Sequence, residues 1–546
     1  MRASSSDLEI ELKLMVDPAD LGPLAEGLAA GCMTFSPPRT QTLESRYFDT
    51  PALQLEGRRV GLRVRRIGDR LIQTVKTAST EAAAHAVRGE WECEVETMRP
   101  DLERISDPRA RAAIGPVALE ELRPVFITRI ERRLMLVERD LGDGERSIVE
   151  VAIDSGSIET CGSGDERRIE RIAEVELELK AGPLRGLYLL LETLRARAPL
   201  RIAMLSKAER GYLLATGRTP PAQKANRPAL DPGMTVARAM GVVLQSCLQQ
   251  ILRNEAPALD GRDPRAVHQL RVGLRRARSA LALFATALAP GERETWDARL
   301  KAAIEATGRV RELDVLSSQT LPEVASGLPG EPALKALEAA VLAARQEAHA
   351  ELRGRLESRE HADLLLDLVL WVALERWREG ADDPLAAIQA APVAELAPPL
   401  LDRRYARLRR KGRHFRRLDD TRRHEVRLAL KKLRYGVEFL SGLFPGRGTR
   451  RFARAAARLQ DRLGRLNDQV ETRRLLESLS GAEAGVDRAV LERSIGIVVG
   501  WQAQAVAATR RKAIRGWRRF RKEKPFWPKA DGRRAIDSLS PGTTNR

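Results

Sequence analysis

The sequence predicts an α+β first half built on an antiparallel sheet, followed by an all-α second half. In residues 8–213, short stretches alternate apolar with charged residues, a period of two that is typical of strands. From residue 232 to about residue 524, Ala, Leu, Arg and Glu dominate, which is typical of helices. Between the halves, residues 216–233 contain four prolines and form a predicted linker or loose strap.

Length and charge restrict the function classes. The chain has 546 residues, too many for one core, and a formal net charge of +19, mostly from arginine. Arginine pairs with phosphate oxygens in a bidentate manner, so a phosphate-rich anionic partner is expected. Aromatic residues make up only 4%, which disfavours base stacking, and no specific nucleic-acid partner is predicted.

Features of localisation favour the cytoplasm. The four cysteines, Cys32, Cys93, Cys161 and Cys247, lie far apart and suit a reducing compartment. The first residues lack the apolar segment of a signal peptide, and the longest apolar run is too short to cross a bilayer. We therefore expect a cytoplasmic protein without a membrane partner.

The first predicted strand carries Glu9, Glu11 and Lys13 on one face, because side chains of a strand alternate between its two faces. A second acidic strand, residues 174–180, repeats this pattern. Between them, predicted strands carry the basic residues Arg63 and Arg65, Lys76, and Arg88 with Glu90 and Glu92. A further strand contains Arg129 and Arg132. Because these residues are three positions apart, they lie on opposite faces of the strand and only one can face inward. We favour Arg132 as the inward residue.

Two interpretations of this sheet remain open. Charged faces of antiparallel sheets usually contact water, and each strand taken alone fits that interpretation. However, acidic residues dominate the first and last strands and basic residues the middle ones. Closing such a sheet places both signs around one lumen, where a polyanion and divalent cations would compensate their burial. Helices are predicted at residues 18–30, 100–114 and 182–198.

A set of ordered motifs resembles the CYTH domain of the triphosphate tunnel metalloenzymes over residues 8–213. The motifs are Glu9-x-Glu11-x-Lys13, Tyr47-Phe48-Asp49-Thr50-Pro51, Leu62-Arg63-Val64-Arg65, Lys76, Arg88-x-Glu90-x-Glu92, Asp154, Glu174-x-Glu176 and Ser206-Lys207-Ala208-x-Arg210-Gly211-Tyr212. The resemblance implies an antiparallel eight-stranded β-tunnel barrel that hydrolyses or cyclises triphosphates with Mg²⁺ or Mn²⁺.

The same resemblance implies roles for individual residues. The expected metal ligands are Glu9, Glu11, Asp154, Glu174 and Glu176. The expected triphosphate-binding residues are Lys13, Arg63, Arg65, Lys76, Arg88, Arg132, Lys207 and Arg210. The expected catalytic residues are Glu9, Glu11, Lys13, Glu90 and Glu92, with direct attack by water because no Ser or Cys nucleophile lies beside a base.

The helical half contains an internal repeat with an offset of 156 residues. His268-x-x-Arg271-x-x-x-Arg275-Arg276-x-Arg278 matches His424-x-x-Arg427-x-x-x-Lys431-Lys432-x-Arg434. Helical periodicity brings most of each set onto one stripe. A solvated helix face is the alternative interpretation, but the stripes lack interleaved acidic partners. Residues 403–434 add fifteen Lys/Arg against three Asp/Glu, which favours a linear polyanion.

These residues resemble the CHAD domain, a conserved-histidine α-helical domain that often follows CYTH. The resemblance implies two pseudo-repeated helical bundles that bind inorganic polyphosphate through the ten histidine and basic positions just named. The predicted boundaries are a tunnel domain at 1–215, a linker at 216–231, a helical domain at 232–522 with repeats of about 232–390 and 391–522, and a frayed tail at 523–546.

The first functional hypothesis is a metal-dependent inorganic triphosphatase tethered to polyphosphate by its helical half, in the cytoplasm and at polyphosphate granules. Two alternatives stay open. One is a polyphosphate-granule protein with an idle tunnel. The other is an adenylate cyclase or a thiamine- or nucleoside-triphosphatase, although no base-recognition pocket is readable. The sequence predicts neither the preferred metal nor the oligomeric state.

Overall fold

The structure is a computed structural model that describes residues 8–31, 38–77, 86–142, 144–161, 167–479 and 487–528. For residues 8–9, 29–31, 86–88 and 467–470 it describes the backbone alone. The described residues form two compact units. The first comprises those up to Pro221 together with Ser358–Leu374, and the second comprises Ala222–Glu357 and the residues from Glu375 onward.

One antiparallel sheet of nine strands organises the described part of the first unit. The strands are β1 Leu8–Val16, β2 Arg39–Asp49, β3 Val60–Ile67, β4 Arg70–Thr77, β5 Ala86–Glu94, β6 Arg123–Gly142, β7 Glu145–Thr160, β8 Ile169–Ala181 and β9 Leu200–Ile202. Their order is β5-β4-β3-β2-β6-β7-β8-β1-β9, and β5 also pairs with β1. This last pairing closes β1 to β8 into a tunnel, while β9 adds to the far end of β1.

The register of the strands aligns their charged residues on the inner face of the tunnel. Residues directly opposite each other in a ladder point to the same side of the sheet. Lys13 lies opposite Glu176, and Arg132 lies opposite Asp154. Arg63 lies opposite Tyr47 and Thr74. The alternation seen in the sequence therefore corresponds to an inward-facing charged surface, as the closed-sheet interpretation predicts.

The apolar faces of the strands point outward and are covered by helices. The first unit contains α1 Leu21–Gly31, α2 Gln54–Gly57, α3 Pro108–Ile114, α4 Arg185–Arg195 and α5 Lys207–Thr216, and α13 Arg359–Ala373 joins it. Leu62, Val64 and Val75 pack with Ala110 and Ile114 of α3 in one core. The helix predicted at 100–114 is confined to its last turns, because Pro108 disfavours helical backbone before it and Asp107 caps the helix.

Helix α5 packs against an apolar section of the tunnel interior. Leu43, Tyr47, Phe126 and Ile130 form a buried cluster that Tyr212 of α5 joins. A Cβ atom at position 211 would lie 2.2 Å from the Phe126 ring, so Gly211 permits this close approach. The tunnel thus has an apolar section beneath α5, and its charged section lies beyond it.

Helices form most of the described part of the second unit. Its helices are α6 Val236–Arg253, α7 Glu255–Asp260, α8 Pro264–Leu283, α9 Glu292–Ala306, α10 Gly308–Val315, α11 Leu321–Gly327, α12 Pro332–Glu357, α14 Asp383–Ala390, α15 Val393–Lys411, α16 Asp420–Leu440, α17 Arg447–Leu479 and α18 Arg488–Phe520. Phe452 packs against Phe520, Phe526 and Trp527, and the Trp527 indole donates a 2.7 Å hydrogen bond to Asp402. The beginning of the predicted frayed tail is therefore docked, while residues 529–546 lie outside the described part.

The helix starts follow the repeat offset found in the sequence. Helices α8 and α16 begin at 264 and 420, and α12 and α18 begin at 332 and 488, a difference of 156 in both cases. The copies differ where α9 and α10 are separated at Thr307 whereas α17 runs unbroken for 33 residues. They differ again at α13, which groups with the strand-rich unit through α4 and β9.

Candidate functional sites

Three inward carboxylates form the acidic side of the tunnel. Asp154 of β7 lies opposite Glu174 of β8, and Glu176 follows two residues later on the same face. Asp154 and Glu174 are buried, Glu176 is nearly so, and each offers an oxygen within 4.8 Å of those of the other two. Hard divalent cations prefer oxygen ligands at such spacing. The donor set therefore fits Mg²⁺ or Mn²⁺.

Three cationic side chains surround the same carboxylates. The Lys207 ammonium, at the first position of α5, lies 2.7 Å from Asp154 Oδ2 and 2.8 Å from Glu176 Oε1, and it also pairs with Glu174. The Arg132 guanidinium donates to both Asp154 oxygens, at 2.7 and 2.6 Å, and to Glu176 at 2.6 Å. The Lys13 ammonium donates to Glu176 at 2.7 Å and pairs with Glu11.

These pairs set the protonation of Asp154 and Glu176. Burial alone would raise the pKa of Glu176, but Lys13, Lys207 and Arg132 hold it well below its usual range. The pKa of Asp154 is lowered for the same reason, with Lys207 opposing the effect of burial. Burial would lower the pKa of Lys207, yet Glu174, Glu176 and Asp154 raise it. Both carboxyls therefore stay ionised, as metal ligands must be.

The basic side of the tunnel is formed by β3 and β4. The Lys76 ammonium lies 2.7 Å from Glu90, and Arg63 lies 3.5 Å from Glu90 and 3.8 Å from Glu92. Arg65 donates to the Ser45 hydroxyl at 2.9 Å. Burial, together with repulsion from Arg63 and Arg132, lowers the pKa of Arg65 to about 10. This concentration of positive charge is suited to a compact polyanion.

The remaining predicted tunnel residues differ in their positions. Arg210 donates to Glu174 at 3.0 Å and to Glu170 at 2.8 Å, so it joins the acidic side. Glu92 accepts from Thr74 at 3.0 Å, but its side chain is 53% exposed. Glu9 and Arg88 lie opposite each other in the β1–β5 pairing, and their side chains are outside the described part of the structure.

Arg132 and Arg129 have separate environments, as their opposite parity requires. Arg132 contacts the buried carboxylates described above. Arg129 is 46% exposed and pairs with Glu159 and, at 3.9 Å, with Glu44. Arg132 is therefore the arginine of β6 that contacts the acidic cluster.

The sequence analysis assigned no role to Tyr47 or Asp49, although both belong to the motif that runs from Tyr47 to Pro51. Burial would raise the pKa of Tyr47, but Arg63, Arg65 and Lys76 lower it, and its phenol is hydrogen-bonded to Arg63. Asp49 accepts hydrogen bonds from the amides of Thr50 and Leu55 and from the Tyr212 hydroxyl at 3.0 Å. Asp49 thus connects α5 to β2, which is a structural role. Its place in the motif marks Asp49 as a candidate but does not indicate these contacts.

In the second unit, the two basic stripes meet in one cluster between α8 and α16. We call it the basic cluster: His268, Arg271 and Arg275 from α8, and Arg427, Lys431 and Arg434 from α16. Lys431 is largely buried, and burial together with repulsion from Arg275, Arg427 and Arg271 lowers its pKa to about 6. Burial and repulsion from Arg311, Arg275 and Lys431 likewise lower the pKa of His268 to about 4.

Among the described side chains, the hydrogen-bond acceptors that contact the basic cluster include several that carry no charge. Arg271 donates to the Ile304 carbonyl and, at 2.9 Å, to the Thr307 hydroxyl, and Arg434 donates to Gln460 at 2.8 Å. These acceptors are uncharged. Two carboxylates also act on the cluster: Glu312 on Arg271, and Glu471 on both Arg271 and Arg275. Burial and Glu471 raise the pKa of Glu312. Such an excess of cations favours an anionic ligand.

Four of the residues predicted to bind polyphosphate have other surroundings. Arg276 is 1% exposed, and its guanidinium bonds Glu438 at 2.9 Å, Gln250 at 3.0 Å and the Ser246 hydroxyl at 3.1 Å. It has the wrong helical phase to reach the cluster and serves as an internal tie. Arg278 forms a bidentate pair with Asp297. Lys432 is exposed and lies beside Arg407. His424 is the first residue of the second stripe, and its side chain is half-buried.

Two family models match the chain over most of its length. The CYTH domain model matches residues 7–212, and the CHAD domain model matches residues 242–477. Among curated proteins, the inorganic triphosphatase of Haemophilus influenzae is 31% identical over 207 residues, which are 38% of this chain. The match spans 54%, about half, of that relative's length.

Two solved structures each match part of the chain. The CHAD domain from the plant Ricinus communis is 29% identical, with a TM-score of 0.46, and the match covers 53% of this chain and 96% of that one. A putative adenylyl cyclase from Hippeastrum, described as having a dominant triphosphatase activity, is 21% identical with a TM-score of 0.29 over 39% of this chain and 98% of that one.

Hydropathy adds one finding: among the described residues, none of the helices is both long enough and apolar enough to cross a bilayer.

The tunnel with its inward charges corresponds to the first family match, and the repeated helices with their basic stripes correspond to the second. The chain carries a CYTH domain followed by a CHAD domain.

Proposed function

We propose that the tunnel hydrolyses inorganic triphosphate to phosphate and pyrophosphate with Mg²⁺ or Mn²⁺. The observation that carries this proposal is that an acidic surface and a basic surface face each other inside one closed sheet. Asp154, Glu174 and Glu176 supply metal ligands within 4.8 Å of one another. Arg63, Arg65 and Lys76 supply the opposite charge on the same inner face.

The chemistry requires positioning and neutralisation of charge rather than a covalent nucleophile. When bound, the divalent cation would neutralise phosphate oxygens and orient water. Arg63 and Arg65 would hold the phosphates by charge-assisted hydrogen bonds, while Arg132 and Lys13 keep the carboxylates ionised and aligned. A water oxygen would attack the terminal phosphorus. The bond from that phosphorus to the bridging oxygen would break, and pyrophosphate would leave.

The Haemophilus influenzae relative supports this reaction class, because its name is inorganic triphosphatase and it matches the tunnel half of this chain. The direct test is a panel of tripolyphosphate, ATP and thiamine triphosphate, assayed with and without Mg²⁺ or Mn²⁺. We expect metal-dependent phosphate release, fastest from tripolyphosphate. A preference for ATP, or formation of cyclic AMP, would replace the proposal by a nucleotide reaction. No release from any of them would leave an idle tunnel.

We further propose that the basic cluster binds inorganic polyphosphate. Its six side chains come from both repeats. Four of them, His268, Arg271, Arg275 and Lys431, have pKa values lowered by burial and by repulsion from neighbouring cations, and a polyanion would relieve that repulsion. Binding of fluorescently labelled polyphosphate should weaken steeply with salt. In cells, a tagged protein should concentrate at cytoplasmic polyphosphate granules, and a uniform distribution beside visible granules would contradict this.

A further inference from the structure

Tyr47 lies where the apolar section of the tunnel meets its charged section. Its ring stacks on the Phe126 ring, with 4.5 Å between the centroids and 17° between the planes, and the Phe126 ring meets Tyr212 edge-on at 5.3 Å. Tyr47 is 5% exposed and lies directly opposite Arg63 in the β2–β3 pairing. Ring packing therefore holds the phenol in place, next to the Arg63 guanidinium to which it is hydrogen-bonded.

The chemistry of the two groups gives the direction of this hydrogen bond. A guanidinium has donors and no acceptor, so Arg63 donates and the Tyr47 oxygen accepts. The phenol proton is then left to donate to another group. No acceptor for it occurs among the residues that the structure describes, and the side chains opposite Tyr47 in the two ladders, Arg63 and Phe126, offer none.

Arg63 carries a second donor without an acceptor. Its Nε atom is buried and forms no hydrogen bond with any part of the chain that the structure describes. Its Nη2 atom lies 3.5 Å from Glu90 and 3.8 Å from Glu92, so the carboxylates hold the other end of the guanidinium. A buried donor without a partner destabilises the protein unless a ligand supplies the acceptor.

A phosphoryl group has the oxygens that both donors require. We propose that Tyr47 contacts the substrate: its O–H donates to one oxygen of the bound triphosphate, while Arg63 Nε–H donates to a second oxygen of the same phosphoryl group. This inference rests on the proposed function, because it concerns the same triphosphate site. It adds a neutral donor to that site, whereas the charge pattern of the sequence indicated cations alone.

Tyr212 provides a matched control. It joins the same buried aromatic cluster, and its hydroxyl donates to the buried Asp49 carboxylate at 3.0 Å. Replacing either tyrosine by Phe keeps the ring and removes one hydroxyl. Tyr212→Phe takes a hydrogen bond from a buried carboxylate, so it should lower the melting temperature and leave the KM for tripolyphosphate unchanged. Tyr47→Phe should instead raise the KM and leave the melting temperature nearly unchanged.

Steady-state kinetics of phosphate release by the full-length protein measures this difference. For Tyr47→Phe we expect the KM to rise about 10-fold or more and kcat to change less than about threefold, because the contact is already made in the bound substrate. Added to Arg63→Met, the same substitution should raise the KM by less than about threefold, since the two donors act on one group. An unchanged KM for Tyr47→Phe, an equal rise for Tyr212→Phe, or full additivity with Arg63→Met would overturn the proposal.

The Tyr47 contact and the proposed function fail separately. Calorimetric titration of the metal-free protein with tripolyphosphate measures binding without turnover. Because every variant keeps the basic cluster, a difference between variants reports the tunnel. Weaker binding by Tyr47→Phe but not by Tyr212→Phe, in a protein that hydrolyses no triphosphate, would retain the contact and reject the triphosphatase. Hydrolysis of tripolyphosphate with an unchanged KM in Tyr47→Phe would reject the contact alone.

Discussion

The Lys207 ammonium lies 2.7 Å from the Asp154 carboxylate, which links the first residue of α5 to the middle of the buried strand β7. The same ammonium contacts Glu174 and Glu176, the other two carboxylates of the candidate metal site. Lys207 and a divalent cation would therefore neutralise the same three groups. The contact also explains how helix α5, which is not a strand of the sheet, contributes to the chemistry of the tunnel.

Replacing Lys207 by Met should destabilise the strand-rich unit unless a metal is supplied. The substitution leaves buried carboxylates without one of their cations, a change that costs about 3–5 kcal/mol in comparable buried pairs. We expect a lower melting temperature for Lys207→Met in chelator and a partial recovery in Mn²⁺. Lys180→Met is the matched control, because Lys180 pairs with Glu150 and Glu178 at a more exposed position. Equal losses in both variants, or no recovery with metal, would contradict this relationship.

Arg65 and Arg66 are adjacent residues of β3 with opposite orientations. Arg65 faces the tunnel and donates to Ser45, whereas Arg66 is exposed. Arg65→Gln should raise the KM for tripolyphosphate about 10- to 100-fold, the effect of losing a hydrogen bond from a charged donor. Steady-state kinetics of Arg66→Gln should match the wild type. If both variants behave alike, phosphate is not bound by the inner face of β3.

Removing one arginine from the basic cluster should weaken polyphosphate binding through electrostatics. Arg275→Gln or Arg427→Gln should reduce the slope of log affinity against log salt by roughly 0.7 to 0.9 per lost phosphate contact. Arg276→Met should instead lower thermal stability and leave the slope unchanged, because Arg276 is bonded internally. A salt titration that shows the same change of slope for Arg276→Met would place that residue in the binding surface.

Polyphosphate binding should take up protons near neutral pH. The pKa of Lys431 is lowered to about 6 in the free protein, so the amine is mostly neutral above that pH. A polyanion favours the charged ammonium and raises this pKa, so affinity should increase as pH falls toward about 6. Calorimetry in buffers of different ionisation enthalpy measures the uptake. Lys431→Met should remove most of it and Lys432→Met little, and wild-type binding without uptake would refute the assignment.

The period-two pattern of the strands made the tunnel predictable. Because side chains alternate, Glu11 and Lys13 had to share a face, and parity alone separated Arg129 from Arg132. The division of acidic and basic residues between different strands favoured faces that turn inward, and the family resemblance implied a closed eight-stranded tunnel. Periodicity could not supply the closing β1–β5 pairing or the position of α5, since both depend on contacts between residues distant in sequence.

The helical half was less accessible to sequence reasoning. The repeat located both stripes, and yet it grouped Arg276 with the binding residues. Arg276 lies one position beyond Arg275, which rotates it by about 100° on the helix, toward Ser246 and Gln250 of α6. Composition did not distinguish α13 from its neighbouring helices either, because its apolar residues resemble theirs. In the structure, α13 groups with α4 and β9 in the strand-rich unit. Such choices among similar apolar faces are decided by packing.

The most direct test of the tunnel compares the wild-type protein with Glu176→Gln in one assay, phosphate release from tripolyphosphate with and without Mg²⁺ or Mn²⁺. Glu176 contacts Lys13, Arg132 and Lys207, and the substitution removes its charge with little change of shape. We predict metal-dependent release by the wild type and a loss of at least about 100-fold in kcat/KM for the variant. Metal-independent release, or equal activity of the two proteins, would contradict the account.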